Sequence, residues 1–130
     1  MKHTIKYVLL GDPTALKRAR IAATHNRVYD SQKACKLALG IQLLDQHDGI
    51  CFEGPTQLEA VFFFKPPQRM SNAKLPQWHQ SRPDVSNLLK LIEDVIQDCH
   101  IVKDDCLFCR EVIEKKYDNR PRTEIILTAL

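Results

Sequence analysis

The sequence predicts an α+β fold, an α/β two-layer arrangement in which two helices pack on a small mixed four-stranded sheet. Short runs of β-branched and aromatic residues alternate along the chain with two longer runs whose apolar residues recur every three or four positions. The 130 residues suffice for one hydrophobic core and are too few for two, so we expect a single domain over residues 1–130.

The first elements are a strand and a basic loop. Ile5–Leu10 is apolar and β-branched, which favours a strand, and Gly11-Asp12-Pro13 ends it with turn-forming residues. Lys17–Arg27 is rich in basic residues and is predicted to be a loop.

A helix, a buried strand and a long loop come next. Asp30 or Ser31 can cap the helix, and Asp48-Gly49 stops it. Its apolar residues at helical spacing are Ala34, Leu37, Ala38, Ile41 and Leu44. Leu58–Phe64 predicts a strand, whereas Lys65–Arg82 has no regular pattern and predicts a long loop.

The second helix should begin at Ser86, because serine is a good N-cap and Pro83 disfavours helix before it. Its apolar stripe consists of Leu88, Leu91, Ile92, Val95 and Cys99, and the opposite polar face carries Asn87, Lys90 and Asp94. Leu107–Tyr117 and Thr123–Leu127 predict two final strands, joined by a turn at residues 118–121.

Charge is distributed unevenly. The net charge is +3, but the stretch from Asp84 to Glu114 holds eight acidic and three basic residues, and the rest holds eight acidic and sixteen basic ones. This pattern favours binding of a polyanion, with a cation lying between it and the carboxylates. A solvated surface with chance asymmetry of charge is the alternative. The candidate polyanion contacts are Lys17, Arg18, Arg20, Arg27, Lys65, Arg69, Lys74, Arg82, Lys115, Lys116, Arg120 and Arg122.

The chain carries no export signal or membrane-length apolar run, so we expect a cytoplasmic protein with no membrane contact. Five cysteines are an odd number, which argues against a disulfide framework. Cys106-x-x-Cys109, with Cys99 and His100 nearby, lacks a second pair at zinc-ligand spacing, so core cysteines are expected rather than zinc.

Two further side-chain types invite a functional reading. His25, His47 and His79 fall on predicted loops or helix ends, where contact with solvent or phosphate is expected. Trp78 lies in a proline-bearing loop, where a packing anchor is the commoner role and an aromatic wedge against an unstacked base is the alternative.

The candidate chemistry lies around the second helix. Asp84 precedes the helix, Lys90 lies inside it, and Asp104-Asp105 follows it. Converging carboxylates suit Mg²⁺ or Mn²⁺, and a nearby lysine could offset charge on a scissile phosphate. The same residues could instead be a helix cap, a surface ion pair and a polar turn.

Chain reach limits how this site can be built. A helix over residues 86–97 is about 18 Å long, and the seven steps to Asp105 cover at most about 25 Å, so Asp105 can return to the helix start. If the helix ran through His100, the remaining steps would fall short, and a second subunit would have to supply the carboxylate.

Arg82-Pro83-Asp84-x-x-Asn87-Leu88-x-Lys90-x-x-x-Asp94, followed by Asp104-Asp105, resembles the RusA family of Holliday-junction resolvases. Gly11-Asp12-Pro13, the basic loop after it and residues 28–31 are also similar to that family, so the resemblance covers nearly the whole chain.

The resemblance implies a homodimeric, Mg²⁺-dependent endonuclease that makes paired nicks in four-way DNA junctions during recombination and repair, often of phage or bacterial origin. It assigns catalysis to Asp84, Lys90 and Asp105 and metal binding to Asp84, Asp104 and Asp105. Ser86, Asn87 and Asp94 would support these groups. Among the basic residues that would attract a polyanion, those expected to contact DNA are Lys17, Arg18, Arg20, Arg27, Lys65, Arg69, Lys74 and Arg82.

One position departs from the family pattern. The family usually has a second aspartate where this chain has Ser86, and a serine hydroxyl is a weaker ligand for a hard cation than a carboxylate. A catalytically weak or inactive junction-binding protein is therefore the alternative function. A dimeric interaction module without a nucleic-acid partner is a third reading.

Overall fold

The computed structural model describes residues 2–17, 20–22, 27–29 and 32–130. Within this part of the chain, the strands are β1 Thr4–Leu10, β2 Arg20–Ala22, β3 Arg27–Tyr29, β4 Thr56–Phe64, β5 Gln77–Trp78, β6 Phe108–Tyr117 and β7 Arg122–Ala129. The helices are α1 Lys33–Gln46 and α2 Val85–Asp98. The predicted strands and helices are thus confirmed in type and order.

The main sheet has five strands in the order β1-β7-β4-β6-β5, and β2 and β3 form a separate two-stranded sheet. Strands β4 and β6 are parallel and the other pairs are antiparallel, which confirms the predicted mixed sheet. The predicted number of four strands is wrong. Strand β5 lies inside the expected loop 65–82 and pairs with the end of β6. Two residues are too few to carry a period of two.

The predicted basic loop 17–27 is also wrong in part. Arg20–Ala22 and Arg27–Tyr29 pair as antiparallel strands. Each strand has only three residues, so the β-branched Ile21 and Val28 do not stand out against their basic neighbours.

Helix α2 packs its predicted apolar stripe into the core. Its buried side chains are Leu88, Leu91, Ile92, Val95 and Ile96, and Cys99 packs against them. The N-cap is Asp84, in extended conformation, so the predicted start at Ser86 is wrong and Ser86 lies in the first turn. The helix begins earlier because the Asp84 carbonyl already accepts the Leu88 N–H at 3.2 Å.

Helix α1 forms as predicted but turns its apolar stripe away from the core. Leu37, Ile41 and Leu44 are 65%, 62% and 53% exposed, while Gly40 and Leu43 are buried. Gln32 occupies the N-cap position without a side-chain cap bond. Asp30 and Ser31, the predicted caps, lie outside the described residues.

Two glutamines explain the orientation of α1. The Gln46 side chain accepts the Val8 N–H at 2.8 Å and donates to the Val8 carbonyl at 2.8 Å. Gln42 bonds the backbone of Leu10 in the same way, at 2.8 and 3.4 Å. Strand β1 is the edge of the sheet, and these amides satisfy backbone groups that a neighbouring strand would otherwise bond.

No helix in the described ranges is both long enough and apolar enough to cross a membrane.

The interior strand β7 provides a test of the core. Leu127 is fully buried, whereas Leu10 on the neighbouring strand is 58% exposed. We expect Leu127→Ala to lower the free energy of unfolding by about 2–5 kcal/mol, because it leaves a cavity in the close-packed core. Urea denaturation should show a change below about 1 kcal/mol for Leu10→Ala. Equal losses in the two variants would contradict this core.

Candidate active site

The outward face of α2 carries a compact charged cluster, which we call the Lys90 cluster: Lys90, Asp94 and Asp105. The Lys90 Nζ lies 3.1 Å from Asp94 Oδ1 and 3.3 Å from Asp105 Oδ2. Hydrogen bonding to Asp94, and then to Asp105, raises the pKa of Lys90. The ammonium therefore stays charged at neutral pH, and a helix residue meets a carboxylate from a later segment of the chain.

The turn after α2 positions Asp105. Its backbone N–H donates to Gln97 Oε1 at 2.8 Å. Asp104 accepts the Cys106 N–H at 2.9 Å and caps the short 3₁₀ turn Asp105–Leu107, and this hydrogen bond lowers the pKa of Asp104. Asp104 is thus used by its own turn, while Asp105 faces Lys90.

The connection between α2 and Asp105 keeps that residue away from the helix start. Helix α2 ends at Asp98, and Ile101 and Val102 are then fully buried. The Phe52 N–H donates to the Ile101 carbonyl at 2.9 Å, and the Lys103 N–H donates to the Phe52 carbonyl at 3.0 Å. These bonds hold the connection beside the middle and end of α2.

Asp84 lies apart from the Lys90 cluster. It is exposed at the start of α2, and Lys90 lies six residues further, a rise of about 9 Å along the axis. The Lys90 side chain then points to Asp94, about 15 Å from the helix start. One chain therefore brings Asp94 and Asp105 together around Lys90, without Asp84.

The donor chemistry around Lys90 fits a hard cation. Asp94 and Asp105 already direct carboxylate oxygens at a positive group, and Mg²⁺ prefers such ligands. Two ligand oxygens of one Mg²⁺ ion lie no more than about 4 Å apart, which Asp84 does not satisfy with Asp105 in this arrangement. Within the described ranges, no three His, Cys, Asp or Glu side chains are grouped closely enough to hold a metal.

A second acidic pair lies next to the cluster and was not predicted. Glu93 on α2 and Glu111 on β6 share a hydrogen bond. Burial, followed by this bond and the charge of Glu111, raises the pKa of Glu93 to about 7. No sequence period links the two residues, because the pair depends on how α2 packs over β6.

Lys115 holds the backbone of the segment before Asp84 through hydrogen bonds. Its Nζ donates to the carbonyls of Ser81 and Pro83 at 2.7 and 2.8 Å. Arg82, Pro83, Asp84 and Asn87 then line a shallow pocket of about 360 Å³. Ser86 is exposed next to these residues, and the Asn87 carbonyl accepts the Leu16 N–H.

Three predicted DNA-contacting cations converge on a neighbouring pocket, which we call the basic pocket. Lys65, Arg69 and Arg82 line this space of about 430 Å³ together with Asp12 and aromatic side chains. Arg82 also lines the pocket of Asp84, so the two sites are contiguous. The strands β4 and β6 end here, which brings cations distant in sequence together.

His79 lies in the wall of the basic pocket. It is buried between the rings of Phe64 and Tyr117, at centroid distances of 4.2 and 4.6 Å. Burial, reinforced by Lys115, lowers its pKa, so the imidazole is neutral at pH 7. The expectation of a surface histidine is wrong, because strand β5 carries His79 into an aromatic layer.

The other predicted polyanion contacts differ in their environments. Lys17 and Lys74 are exposed. Arg18 and the side chains of Arg20 and Arg27 lie outside the described part of the structure. Arg122 is committed to Asp118 and Glu124 at 3.0 and 2.7 Å and stacks on Phe63, so it stabilises the fold.

Several other predictions need correction. Trp78 is 60% exposed with Lys116 over its ring at 4.9 Å, so it is not a buried packing anchor. Cys106 and Cys109 are exposed rather than in the core, because they flank the start of edge-proximal strand β6. His47 is half-buried and hydrogen bonds Tyr7 at 2.8 Å, while His25 lies outside the described residues.

Comparisons with known proteins point to one family. The sequence profile described as endodeoxyribonuclease RusA matches residues 11–128. The chain is also 28% identical, over 132 aligned residues, to a crossover junction endodeoxyribonuclease rusA of Lactococcus phage r1t. That alignment covers 98% of this chain and 98% of the phage protein.

The Glu93–Glu111 pair predicts a pH-dependent stability. The pKa of Glu93 is about 7 in the folded protein and near its ordinary value of 4.5 when unfolded. The folded state therefore holds the extra proton, and the free energy of unfolding should fall as the pH rises through this window. Urea denaturation at pH 5 and pH 8 measures the fall.

In Glu93→Gln this part of the pH dependence should disappear, while the exposed Glu53→Gln should leave it unchanged. A Glu93→Gln protein with the pH slope of the wild type would contradict the assignment.

Proposed function

Because the chain belongs to the endodeoxyribonuclease RusA family, hydrolases that act on DNA, we propose that it cuts four-way DNA junctions inside the cell by paired phosphodiester nicks. The observation that carries the proposal is the Lys90 cluster, in which the family's lysine and a family aspartate meet although they are 15 residues apart in the chain. Recombination and repair would be the processes served.

We propose Mg²⁺ as the cofactor, with Mn²⁺ as a substitute, held by the carboxylate oxygens of Asp105 with Asp104 beside it. Asp84 lies too far from Asp105 in one chain to share that ion, so it would join the site only from the second subunit of a dimer. When bound, the ion would offset negative charge on the phosphate and lower the pKa of a water. Asp94 lies within the Lys90 cluster and would keep Lys90 oriented. Since Asp84 lies at the helix start, its contribution needs a separate test from that of Asp105.

Lys90 would act on the phosphate directly. Its ammonium is held by two carboxylates on a rigid helix and stays protonated at neutral pH. A fixed positive charge stabilises a phosphate whose negative charge increases during cleavage. Gln97 would be a positioning residue, because it holds the backbone of Asp105 and not a reacting atom.

The basic pocket supports a DNA substrate. Three cations surround it, and it adjoins Asp84 through Arg82. Cations of this kind neutralise backbone phosphates, which gives sequence-independent, salt-sensitive binding. A neighbouring acidic site would repel the same phosphates unless a cation lay between them. The exposed Trp78 extends this surface and is available for a base that has lost its stacking partner.

Paired nicks across a junction require two sites, so we propose a homodimer. One chain provides a single Lys90 cluster, and a two-fold axis would present two of them to opposite strands.

Ser86 supports a second candidate function. It occupies the position where the family usually has an aspartate, and it is exposed in the first turn of α2 beside Asp84. A hydroxyl in place of a carboxylate would weaken cation binding. The alternative is therefore a protein that binds junctions tightly and cuts them slowly or not at all.

Asp105→Asn tests the proposed activity. We expect it to reduce junction cleavage in Mg²⁺ at least about 100-fold, because it removes a charge that faces both Lys90 and the proposed ion. Cleavage of a labelled synthetic four-way junction, resolved on a denaturing gel, measures the rate. The exposed Glu53→Gln should cut at the wild-type rate. Failure of the wild type to cut with Mg²⁺ or Mn²⁺ would overturn the proposal.

Ser86→Asp separates the two candidates. If the wild-type protein is a slow or silent enzyme, this variant should raise cleavage by about tenfold or more, because it adds a carboxylate ligand. Junction affinity in Ca²⁺, measured by gel shift, serves as a control for binding. An equal cleavage rate in both proteins would rule out Ser86 as the limiting residue.

A further inference from the structure

The outward face of α1 carries an apolar stripe that the core does not use. Leu37, Ile41 and Leu44 are spaced four and three residues apart and form one stripe. Among the described residues, they are three of the eight large apolar side chains that are substantially exposed. An apolar stripe on a surface helix is stable in water when another surface covers it.

The stripe borders a groove between α1 and α2. The groove has a volume of about 350 Å³ and is lined by Leu37, Gly40, Ile41, Leu44, Val95 and Cys99. A Cβ at Gly40 would lie 3.2 Å from the Cys99 sulfur and 3.8 Å from the Val95 side chain, so this glycine lets α1 pack closely on α2.

The charges at the two ends of α1 oppose its own dipole. Lys33 lies in the first turn, where the helix dipole is positive, and Asp45 lies in the last turn, where it is negative. Both side chains are exposed. In an antiparallel pair with a second copy of the same helix, the acidic end of each helix would lie beside the basic end of the other. The two helix dipoles would also be antiparallel, which is the favourable arrangement for neighbouring dipoles.

The spacing of the stripe also fits such a pairing. In an antiparallel two-fold arrangement centred between residues 40 and 41, Leu37 lies opposite Leu44 of the partner subunit, and Ile41 lies beside Ile41 of the partner subunit across the axis. The same patch then serves both copies, as an isologous dimer interface requires. We propose that two copies of this chain pair through the α1 stripe, with their α1 helices antiparallel.

This pairing rests on the proposed function, because it names the surface of the proposed homodimer. Lys36 on α1 lies 3.9 Å from Asp94, so the interface would be directly continuous with the Lys90 cluster. Two clusters would then flank the two-fold axis of one dimer, which is the placement that paired nicks need.

Ile41→Asp tests the interface by sedimentation equilibrium of the full chain. We expect the wild type to be dimeric and the variant to dissociate at least about 100-fold more readily, because each interface would bury two unpaired carboxylates. Ile50→Asp is the matched control, since Ile50 is 53% exposed and lies outside α1. Circular dichroism confirms that both variants fold.

A disulfide provides an independent readout. In a background with the exposed Cys51, Cys106 and Cys109 changed to serine, oxidised Ile41→Cys should form a covalent dimer, and Ile50→Cys should not. A wild-type dimer that persists in Ile41→Asp and is not trapped by Ile41→Cys would overturn this interface but leave the homodimer standing. A wild-type monomer that still cuts junctions would overturn both the interface and the homodimer, while the nuclease activity would stand.

Discussion

The packing of α2 against the sheet is the constraint on which the rest of the structure depends. Five of its side chains are buried in the core, so its rotation about its own axis is fixed. Lys90 and Asp94 must then face outward, and Gln97 must lie where it can bond the backbone of Asp105. The charged cluster is therefore a consequence of hydrophobic burial on the opposite side of the same helix.

The arrangement of charge follows from this packing. The acidic groups gather along α2 and the start of β6, while Lys65, Arg69 and Arg82 gather at the other end of β6. Lys90 offsets part of the negative charge, and the shared proton of Glu93 removes more of it below about pH 7. A divalent cation bound to the remaining carboxylates would reduce their repulsion of a polyanion. The negative charge of the polyanion would in turn favour binding of the cation.

Sequence periodicity predicted the elements whose signal is local. The stripe of α2 was correct because Leu88, Leu91, Ile92 and Val95 follow helical spacing and the core accepts them. The apolar spacing of α1 did not reveal which side of the helix faces the core, because that side is set by hydrogen bonds from Gln42 and Gln46 to an edge strand more than 30 residues away. The short strand β5 was missed because its two residues have no period of their own.

The candidate site was also predicted only where the signal is local in the sequence. The motif resemblance supplied Asp84, Lys90 and Asp105, and the structure brings Lys90 and Asp105 together. Gln97 and the Glu93–Glu111 contact escaped detection because they arise from packing between segments distant in sequence. The sequence also did not reveal that Asp84 and Asp105 lie apart. Their separation follows from the burial of Ile101 and Val102 beside Phe52, which holds the segment between α2 and Asp105 along the helix.

The proposed activity depends most on Asp105 as a ligand of a divalent ion beside Lys90. Anomalous diffraction from a crystal soaked in Mn²⁺ measures this most directly. We expect a manganese peak within about 2.5 Å of an Asp105 carboxylate oxygen. A manganese ion bound elsewhere, with Asp105 still paired to Lys90 alone, would contradict it.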